Sequence, residues 1–373
     1  MSEINLGEYL YGGIEKIIKG AMRTTLRNPR ETVFLGGFAK SAKKASKIRK
    51  RYEEEQIHVP AFLIASITTK CNLHCAGCYA RANHSCFDAE KQGQMTGEEW
   101  GHVFSQAKDM GVSFILLAGG EPFLRKDVLE KATLHKEIIF PIFTNGTMFD
   151  LERLDQFDHN RNLVPILSIE GKKDKTDARR GLGMYERLQE NMEQLKKKGI
   201  LYGVSVTVTK TNQEEVMSEA FTTMLVEKGA KVVIYVEYVP VDEQTTELAL
   251  TDEDRNKMEK RLADLRMEQP NLVFVSFPGD EKTSGGCLAA GRGFFHINAM
   301  GGAEPCPFSP YSDCNVREKS LLEALQSPLF QKLRTEHVLM KEHMGGCVLF
   351  EQKEEVERII KEGMKAGREL DSI

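Results

Sequence analysis

Residues 62–78 read Phe62-Leu-Ile-Ala-Ser-Ile-Thr-Thr-Lys-Cys71-Asn-Leu-His-Cys75-Ala-Gly-Cys78. The first seven residues form an apolar run rich in β-branched side chains, as a strand buried on both faces does. The run ends in Thr-Thr-Lys and gives way to a loop with three cysteines. The same texture recurs downstream. Strands are expected at Ser113–Ala118, Ile138–Thr144, Leu163–Ile169, Leu201–Val208 and Val232–Val239. Amphipathic stretches separate them, with helices expected at Thr96–Met110, Lys126–Lys136, Phe149–Phe157, Tyr185–Lys198 and Gln213–Lys228. Six strand–helix units of this kind predict an α/β fold, a parallel sheet with helices outside. Such a sheet is either open and doubly wound or curved into all or part of a barrel, and periodicity does not choose between them.

The cysteine loop has the spacing C-x3-C-x2-C. Three thiolates on one tight loop suit an iron–sulfur cluster, which takes cysteine ligands. Structural zinc usually takes four ligands, often as two separated cysteine pairs. Here His74 or Cys86 could supply a fourth, so zinc stays open at this point. A cubane cluster with three protein ligands leaves one iron free for a small molecule. Placement adds weight, because parallel α/β folds collect functional groups at the C-terminal ends of their strands. Three more strand ends on that face carry small, polar or acidic residues: Gly119-Gly120-Glu121-Pro122, Thr144-Asn145-Gly146-Thr147 and Ser168-Ile169-Glu170-Gly171. Glycine there lets backbone approach a ligand closely.

This constellation, over roughly residues 60–240, resembles the radical S-adenosylmethionine (SAM) superfamily. Its specific marks here are the C-x3-C-x2-C loop after the first strand and Gly-Gly-Glu-Pro after the second. The resemblance implies a partial (β/α)6 TIM-like barrel in which Cys71, Cys75 and Cys78 hold a [4Fe-4S] cluster with an open site for SAM. It implies that Gly119, Gly120, Glu121 and Pro122 meet the SAM amino group, that Ser168 and Glu170 lie near the ribose, and that Thr144 and Asn145 line the same cavity. An aromatic residue often precedes the third cysteine in this family and packs near the adenine. This chain has Gly77 there, and Tyr79 is the substitute if the loop turns it inward.

Four other cysteines, Cys287, Cys306, Cys314 and Cys347, lie in loop contexts beside glycine and proline. Four thiolates complete one cluster with no open site. The segment resembles the SPASM or Twitch extensions of radical SAM enzymes, whose pattern begins C-x9–15-G-x4-C; Cys287, Gly301 and Cys306 fit it. A full SPASM domain continues as C-x2-C-x5-C-x3-C. This chain keeps only Gly345-Gly346-Cys347, with His343 in place of the preceding cysteine. The likeness therefore implies one auxiliary [4Fe-4S] cluster held by Cys287, Cys306, Cys314 and Cys347. Cys86 matches neither motif and reads as structural. The domains expected are a basic helical extension over 1–60, the barrel over 61–278, the auxiliary domain over 279–350 and a charged helix over 351–373. A further helix is expected at Asp252–Glu268, a strand at Leu272–Phe277, a hairpin joining Phe294–Asn298 to Ala303–Pro307 and a helix at Ser320–Thr335.

The implied activity is reductive cleavage of SAM to a 5′-deoxyadenosyl radical that takes hydrogen from a substrate. Peptides, protein side chains, tetrapyrroles, sugars and lipids are all open as substrate, and Glu237 and Tyr238 end the sixth strand where they can face it. The implied partner is a one-electron donor of flavodoxin or ferredoxin type. The alternative is a non-catalytic iron–sulfur or zinc protein serving electron transfer or assembly.

Composition bounds the remaining classes. Of 373 residues 41% are hydrophobic and 28% charged, enough apolar content for a sizeable core. The net charge of -4 hides an asymmetry: residues 14–51 hold 12 Lys/Arg against 2 acidic residues. A basic arm on an acidic body disfavours a uniformly basic nucleic-acid binder. The apolar runs are too short to span a bilayer, and no signal-peptide core stands at the N-terminus. A cytoplasmic protein is expected. The arm, read as one helix over 14–27 ended by Asn28-Pro29 and another over Lys40–Arg51, either packs on the acidic body or touches an anionic membrane surface.

Overall fold

The computed structural model describes residues 29–241, 243–284, 286–340 and 347–370. Nine strands form one sheet: β1 Phe62–Thr68, β2 Phe114–Gly119, β3 Phe140–Thr144, β4 Leu163–Ser168, β5 Gly203–Val208, β6 Val232–Glu237, β7 Val273–Phe277, β8 His296–Ile297 and β9 Ala303–Glu304. Their order is β7-β6-β5-β4-β3-β2-β1-β8-β9. Every neighbouring pair from β7 to β8 is parallel, and β8 and β9 form the expected antiparallel hairpin. The expected α/β architecture with six βα units is present. The hairpin is an unforeseen part of it: β8 pairs directly with β1, through Ile64↔His296 and Ala65↔Ile297, so the C-terminal segment continues the barrel sheet.

Local sequence sets the helix ends. Thr96 and Thr251 close capping boxes on Gly97–Met110 and Asp252–Glu268, each satisfying orphan amide donors. The expected helix over Gln213–Lys228 is two helices, because Ser218 accepts from Phe221 N and starts a new one. Ser320–Thr335 divides likewise, with Ser327 capping a helix that opens on Pro328. Lys173–Arg180, absent from the sequence reading, is helical although its eight residues (KDKTDARR) offer no apolar stripe.

The basic arm differs most from expectation. The helix expected over 14–27 lies outside the described residues. Pro29–Glu54 is a single helix, so the helix expected over Lys40–Arg51 begins earlier. Proline suits a first turn, where its missing N–H would have no partner anyway. The helix plugs the barrel floor: Leu35, Phe38 and Ala42 pack on Ala61, Phe114, Ile139, Val164, Ile166 and Leu201, which lie at or just before the starts of β1, β2, β3 and β5 and within β4. At the same end Arg161 pairs with Glu31 and donates to Gly199 O at 2.8 Å. This is the packed reading of the arm for residues 29–51, since its apolar face is already buried. No helix among the described residues is long and apolar enough to cross a membrane.

Candidate cluster and cofactor site

Because β1 to β6 run parallel, their C-terminal ends share one rim, and the cysteine loop leaves that rim from β1. Two glycines fit β2 against it. Gly119 has φ +116°, and a Cβ there would stand 2.4 Å from Thr68 O; a Cβ at Gly120 would stand 2.0 Å from Lys70 O. The contact is also hydrogen bonded, Gly120 N donating to Thr68 O and Glu121 N to Lys70 O, both at 2.9 Å. Gly-Gly is therefore the sequence that lets two strand ends touch immediately before Cys71.

Glu121 then ties the assembly to β3. Its buried carboxylate accepts from Thr144 Oγ1 at 2.8 Å, Asn145 N at 2.8 Å and Phe123 N at 3.1 Å. Burial outweighs these bonds and pushes its carboxyl up to about 7. Asn145 Nδ2 donates to Asn72 Oδ1 at 2.9 Å, reaching the residue after Cys71. On the far side, Ala76 N donates to Arg179 O at 2.8 Å and Arg179 Nε returns to Ala76 O at 3.1 Å, so the helix Lys173–Arg180 clasps the loop. Glu170 is buried and committed: Arg179 Nη1 donates to it at 2.6 Å, Arg180 Nε at 2.9 Å, and Thr207 N at 3.1 Å. Ser168 Oγ lies 3.1 Å from Ser205 Oγ.

Three guanidiniums surround the thiols. Arg81 donates to Leu73 O at 2.8 Å and Arg180 Nη1 lies 3.9 Å from Cys75 Sγ. The thiol of Cys86 hydrogen bonds Cys71, which with Arg81 holds Cys71 down to about 6. Burial pushes Cys75 up, opposed by Arg180 and Arg179. Among the described residues, no three His, Cys, Asp or Glu side chains converge on one ion-sized point. Three thiols on one loop are the donor type that an iron–sulfur cluster takes. The donor set suits the cluster.

The adenine question takes a different form in the structure. Gly77 has φ +64°, and a Cβ on it would meet Tyr238 Oη at 2.7 Å. Tyr238, from just past β6, thus lies over the residue where an aromatic was expected, and donates to Thr245 Oγ1 at 2.6 Å. Tyr79 turns to the C-terminal segment, its ring 4.8 Å from that of Phe308. Tyr238 and Val239 border two cavities. One, of about 180 Å3, reaches Cys75, Cys78 and Arg81; the other, of about 370 Å3, reaches Leu250, Arg255, Cys347 and Phe350. Glu237 pairs with Arg255 at the edge of the larger one.

The second cysteine set comes together in part. Cys287, Cys306 and Cys347 arrive from three separate segments and act on one another's charge, and burial pushes all three thiols up, Cys347 to about 12. Cys314 is tied by its backbone to the start of β9. Its carbonyl accepts from Ala303 N at 2.9 Å, and the charges acting most on its thiol are Asp313, Glu323, Lys319 and Glu318. His343, Gly345 and Gly346 lie outside the described residues. Sequence reasoning passed over Glu281, Arg179 and Arg180. Glu281 stands beside Cys287, and burial pushes its carboxyl up to about 7.

Comparison with known proteins agrees with this geometry. Residues 65–220 match the model of the radical SAM superfamily. Over 325 residues the chain is 26% identical to the AdoMet-dependent heme synthase of Methanosarcina barkeri, a match covering 79% of this chain and 90% of that protein. The fold is similar to Streptococcus suis SuiB bound to S-adenosylmethionine, with a TM-score of 0.66 and 19% identity over 82% of this chain and 77% of SuiB. SuiB is also known bound to its precursor peptide SuiA. The fold is likewise similar to native anSMEcpe with bound AdoMet, with a TM-score of 0.58 and 19% identity over 81% of this chain and 99% of that one. The match over residues 65–220 identifies a radical SAM domain in this chain, which over most of its length is similar to enzymes built on that domain.

Proposed function

We propose that Cys71, Cys75 and Cys78 hold a [4Fe-4S] cluster and that the adjoining strand ends seat SAM against it. When bound, that cluster delivers one electron to SAM, yielding methionine and a 5′-deoxyadenosyl radical that takes hydrogen from the substrate. The chain's own part is positioning. Gly119 to Pro122 hold the loop from one side and present backbone to the SAM amino group. Thr144 and Asn145 line the same space, Ser168 faces the ribose, and Glu170 orders Arg179 and Arg180 beside Cys75. Tyr238 takes the adenine side in place of the residue missing at Gly77, with Tyr79 tying the loop to the C-terminal segment. The observation that carries this reading is the clasp on the cysteine loop, pinned by backbone contacts from β2 and from Lys173–Arg180.

The larger cavity, apolar at Leu250, Val239 and Phe350 and charged at Arg255, is the substrate space in this reading. The likeness to a heme synthase over most of both chains supports a tetrapyrrole as its occupant. Cys287, Cys306 and Cys347 bind a second cluster at the wall of that cavity, within a C-terminal domain over 279–350 that follows the barrel of 61–278. A flavodoxin or ferredoxin supplies the electron. The buried apolar face of Pro29–Glu54 supports a cytoplasmic protein whose arm is spent on its own barrel.

Anaerobic reconstitution, iron and sulfide counting, and reaction with dithionite and SAM test the proposal. About eight irons per chain and release of 5′-deoxyadenosine are expected, with Cys71→Ala abolishing the latter. Iron-replete protein that makes no 5′-deoxyadenosine refutes it. Turnover with iron coproporphyrin against a precursor peptide separates the substrate classes.

A further inference from the structure

The seam between β1 and the hairpin carries three polar side chains in line. Ile64 pairs with His296, and His296 with Glu304. Partners in register point to one face of a sheet, and alternate residues of a strand share it. Ile64, Ser66, His296 and Glu304 therefore share a face with Phe62, which packs against the cluster on the barrel floor. That face is the barrel interior. His296 Nε2 lies 2.7 Å from Ser66 Oγ, and its Nδ1 lies 2.7 Å from Glu304 Oε2. Asn298 Nδ2 donates to the other carboxylate oxygen, Glu304 Oε1, at 2.5 Å. His296 and Glu304 are only 4% and 5% exposed. Ser66 is partly exposed, so its hydroxyl is the end of the line that meets the barrel space, two residues before the contact of Thr68 with Gly120.

We infer that Ser66, His296 and Glu304 form a proton relay, in which Ser66 takes a proton from an acidic O–H or N–H on the part of the substrate that reaches into the barrel. The relay's use on a substrate rests on the function proposed above. An ionised carboxylate only accepts hydrogen bonds. Glu304, receiving Asn298 on one oxygen, therefore sets the ring proton on Nδ1 and leaves Nε2 to accept from the Ser66 hydroxyl. The hydrogen of Ser66 is then engaged with the ring, and its lone pairs are free toward the barrel. In the step, the substrate X–H bond breaks and its proton bonds to Ser66 Oγ. The former hydroxyl proton passes to His296 Nε2, and the X–H electron pair stays on the substrate. Nothing is oxidised or reduced. The imidazolium so formed stands against the Glu304 carboxylate, as it does in other Ser-His-acid arrays, where the acid holds the tautomer and stabilises the charged ring. A substrate carboxyl kept neutral by the apolar side chains of the barrel is one group that needs such an acceptor.

Two measurements on the full chain test it. The first is nuclear magnetic resonance of the cluster-free protein with isotope-labelled histidine, and it needs neither cluster nor substrate. His296 should carry its proton on Nδ1, with the downfield shift of a ring proton bonded to a carboxylate. Glu304→Gln should reverse the tautomer, because Asn298 claims the amide oxygen and turns the amide nitrogen toward Nδ1. Ser66→Ala should keep the tautomer, shift the Nε2 signal and slow proton exchange between the ring and water. A ring protonated on Nε2, or ring exchange indifferent to Ser66→Ala, would overturn the relay. The second measurement is turnover of the reconstituted enzyme with dithionite, SAM and iron coproporphyrin, with circular dichroism and iron content checking each variant. Ser66→Ala and Glu304→Gln should lower kcat for product about 100-fold and leave the KM for SAM in place. Wild-type kcat in both variants would overturn the relay and leave the radical reading standing. Iron-replete wild type that releases no 5′-deoxyadenosine would overturn the radical reading, and the relay's use on a substrate with it. Where SAM is cleaved and the porphyrin is not converted, the resonances decide.

Discussion

One methyl group, added by Gly120→Ala, tests how the cysteine loop is held. The Cβ would stand 2.0 Å from Lys70 O, 2.4 Å from its carbonyl carbon and 3.0 Å from Cys71 N. Ordinary contact begins near 3.4 Å, so the β2 end and the loop must part by about 1.4 Å. All three atoms it meets are backbone, and no rotamer can relieve the clash. Such a separation breaks the bonds from Gly120 N to Thr68 O and from Glu121 N to Lys70 O. Two backbone hydrogen bonds at about 0.5–1.5 kcal/mol each and overpacking of about 1–3 kcal/mol predict a loss of roughly 3–5 kcal/mol. Urea unfolding of the cluster-free protein measures it. Gly36→Ala is the control: no atom lies within 4 Å of its added Cβ, and in mid-helix it should gain about 1 kcal/mol. Where the variant folds and takes up iron, its rate of 5′-deoxyadenosine release should fall on the order of 100-fold, as an ångström of misplacement costs. Wild-type stability together with a wild-type rate for Gly120→Ala would show that the loop does not depend on β2.

The cluster-free protein should lose stability as pH rises from about 5 to 8. Glu121 and Glu281 both have carboxyls raised to about 7, so between the unfolded value and 7 the folded state binds more protons and each contributes up to about 3 kcal/mol that is lost on ionisation; Glu121→Gln and Glu281→Gln should each flatten part of the slope in denaturation at several pH values. Gly77→Ala should destabilise through both a clash with Tyr238 Oη and its φ of +64°, and Tyr238→Ala in the same chain should recover the first cost and leave about 1–2 kcal/mol for the second. Glu170→Gln removes a buried carboxylate from two partly buried guanidiniums and should cost about 3–5 kcal/mol by chemical denaturation; stability within 1 kcal/mol of wild type would refute the clasp. His296→Leu removes the bonds its ring makes at 2.7 Å with Ser66 Oγ and with Glu304, and should lower stability by about 2 kcal/mol while weakening the β1–β8 seam to hydrogen exchange.

What the sequence discloses follows from how local its causes are. Strand β1 is read at its observed limits because Phe62–Thr68 is bounded by a change of texture on both sides. The rim motifs are legible for the same reason: glycine beside an acidic residue at a strand end is a local sign of close backbone approach. Lys173–Arg180 escapes because its helix is fixed by what it clasps, through Arg179 and Arg180, and not by an apolar stripe. The start of the long basic helix is misplaced because Asn28-Pro29 signals a helix end as readily as a beginning, and Gly36-Gly37 discourages joining the two halves. Tyr238 was noticed as a rim residue, but its position over Gly77 is a contact between residues far apart in sequence. Glu281 carries no sequence signal at all, since a glutamate in a charged turn is ordinary until the fold buries it beside Cys287.

The two thiol sets are packed into one structural unit, and the contacts between segments say why. A separate auxiliary domain would need only a tether, yet here β8 pairs with β1, whose other end launches the first cysteine loop. Tyr79, one residue past Cys78, packs at a tilt against Phe308, two residues past Cys306. Tyr238 and Val239 border both the cavity that reaches Cys75 and the one that reaches Cys347. Packing of this kind makes the relative placement of the two sets a property of the barrel. On the function proposed above, a substrate in the larger cavity would meet the first site across Tyr238 and the second at Cys347 at the same time. That arrangement suits a reaction in which hydrogen leaves on one side of the substrate and an electron leaves on the other, more than one in which the second set merely staples the tail.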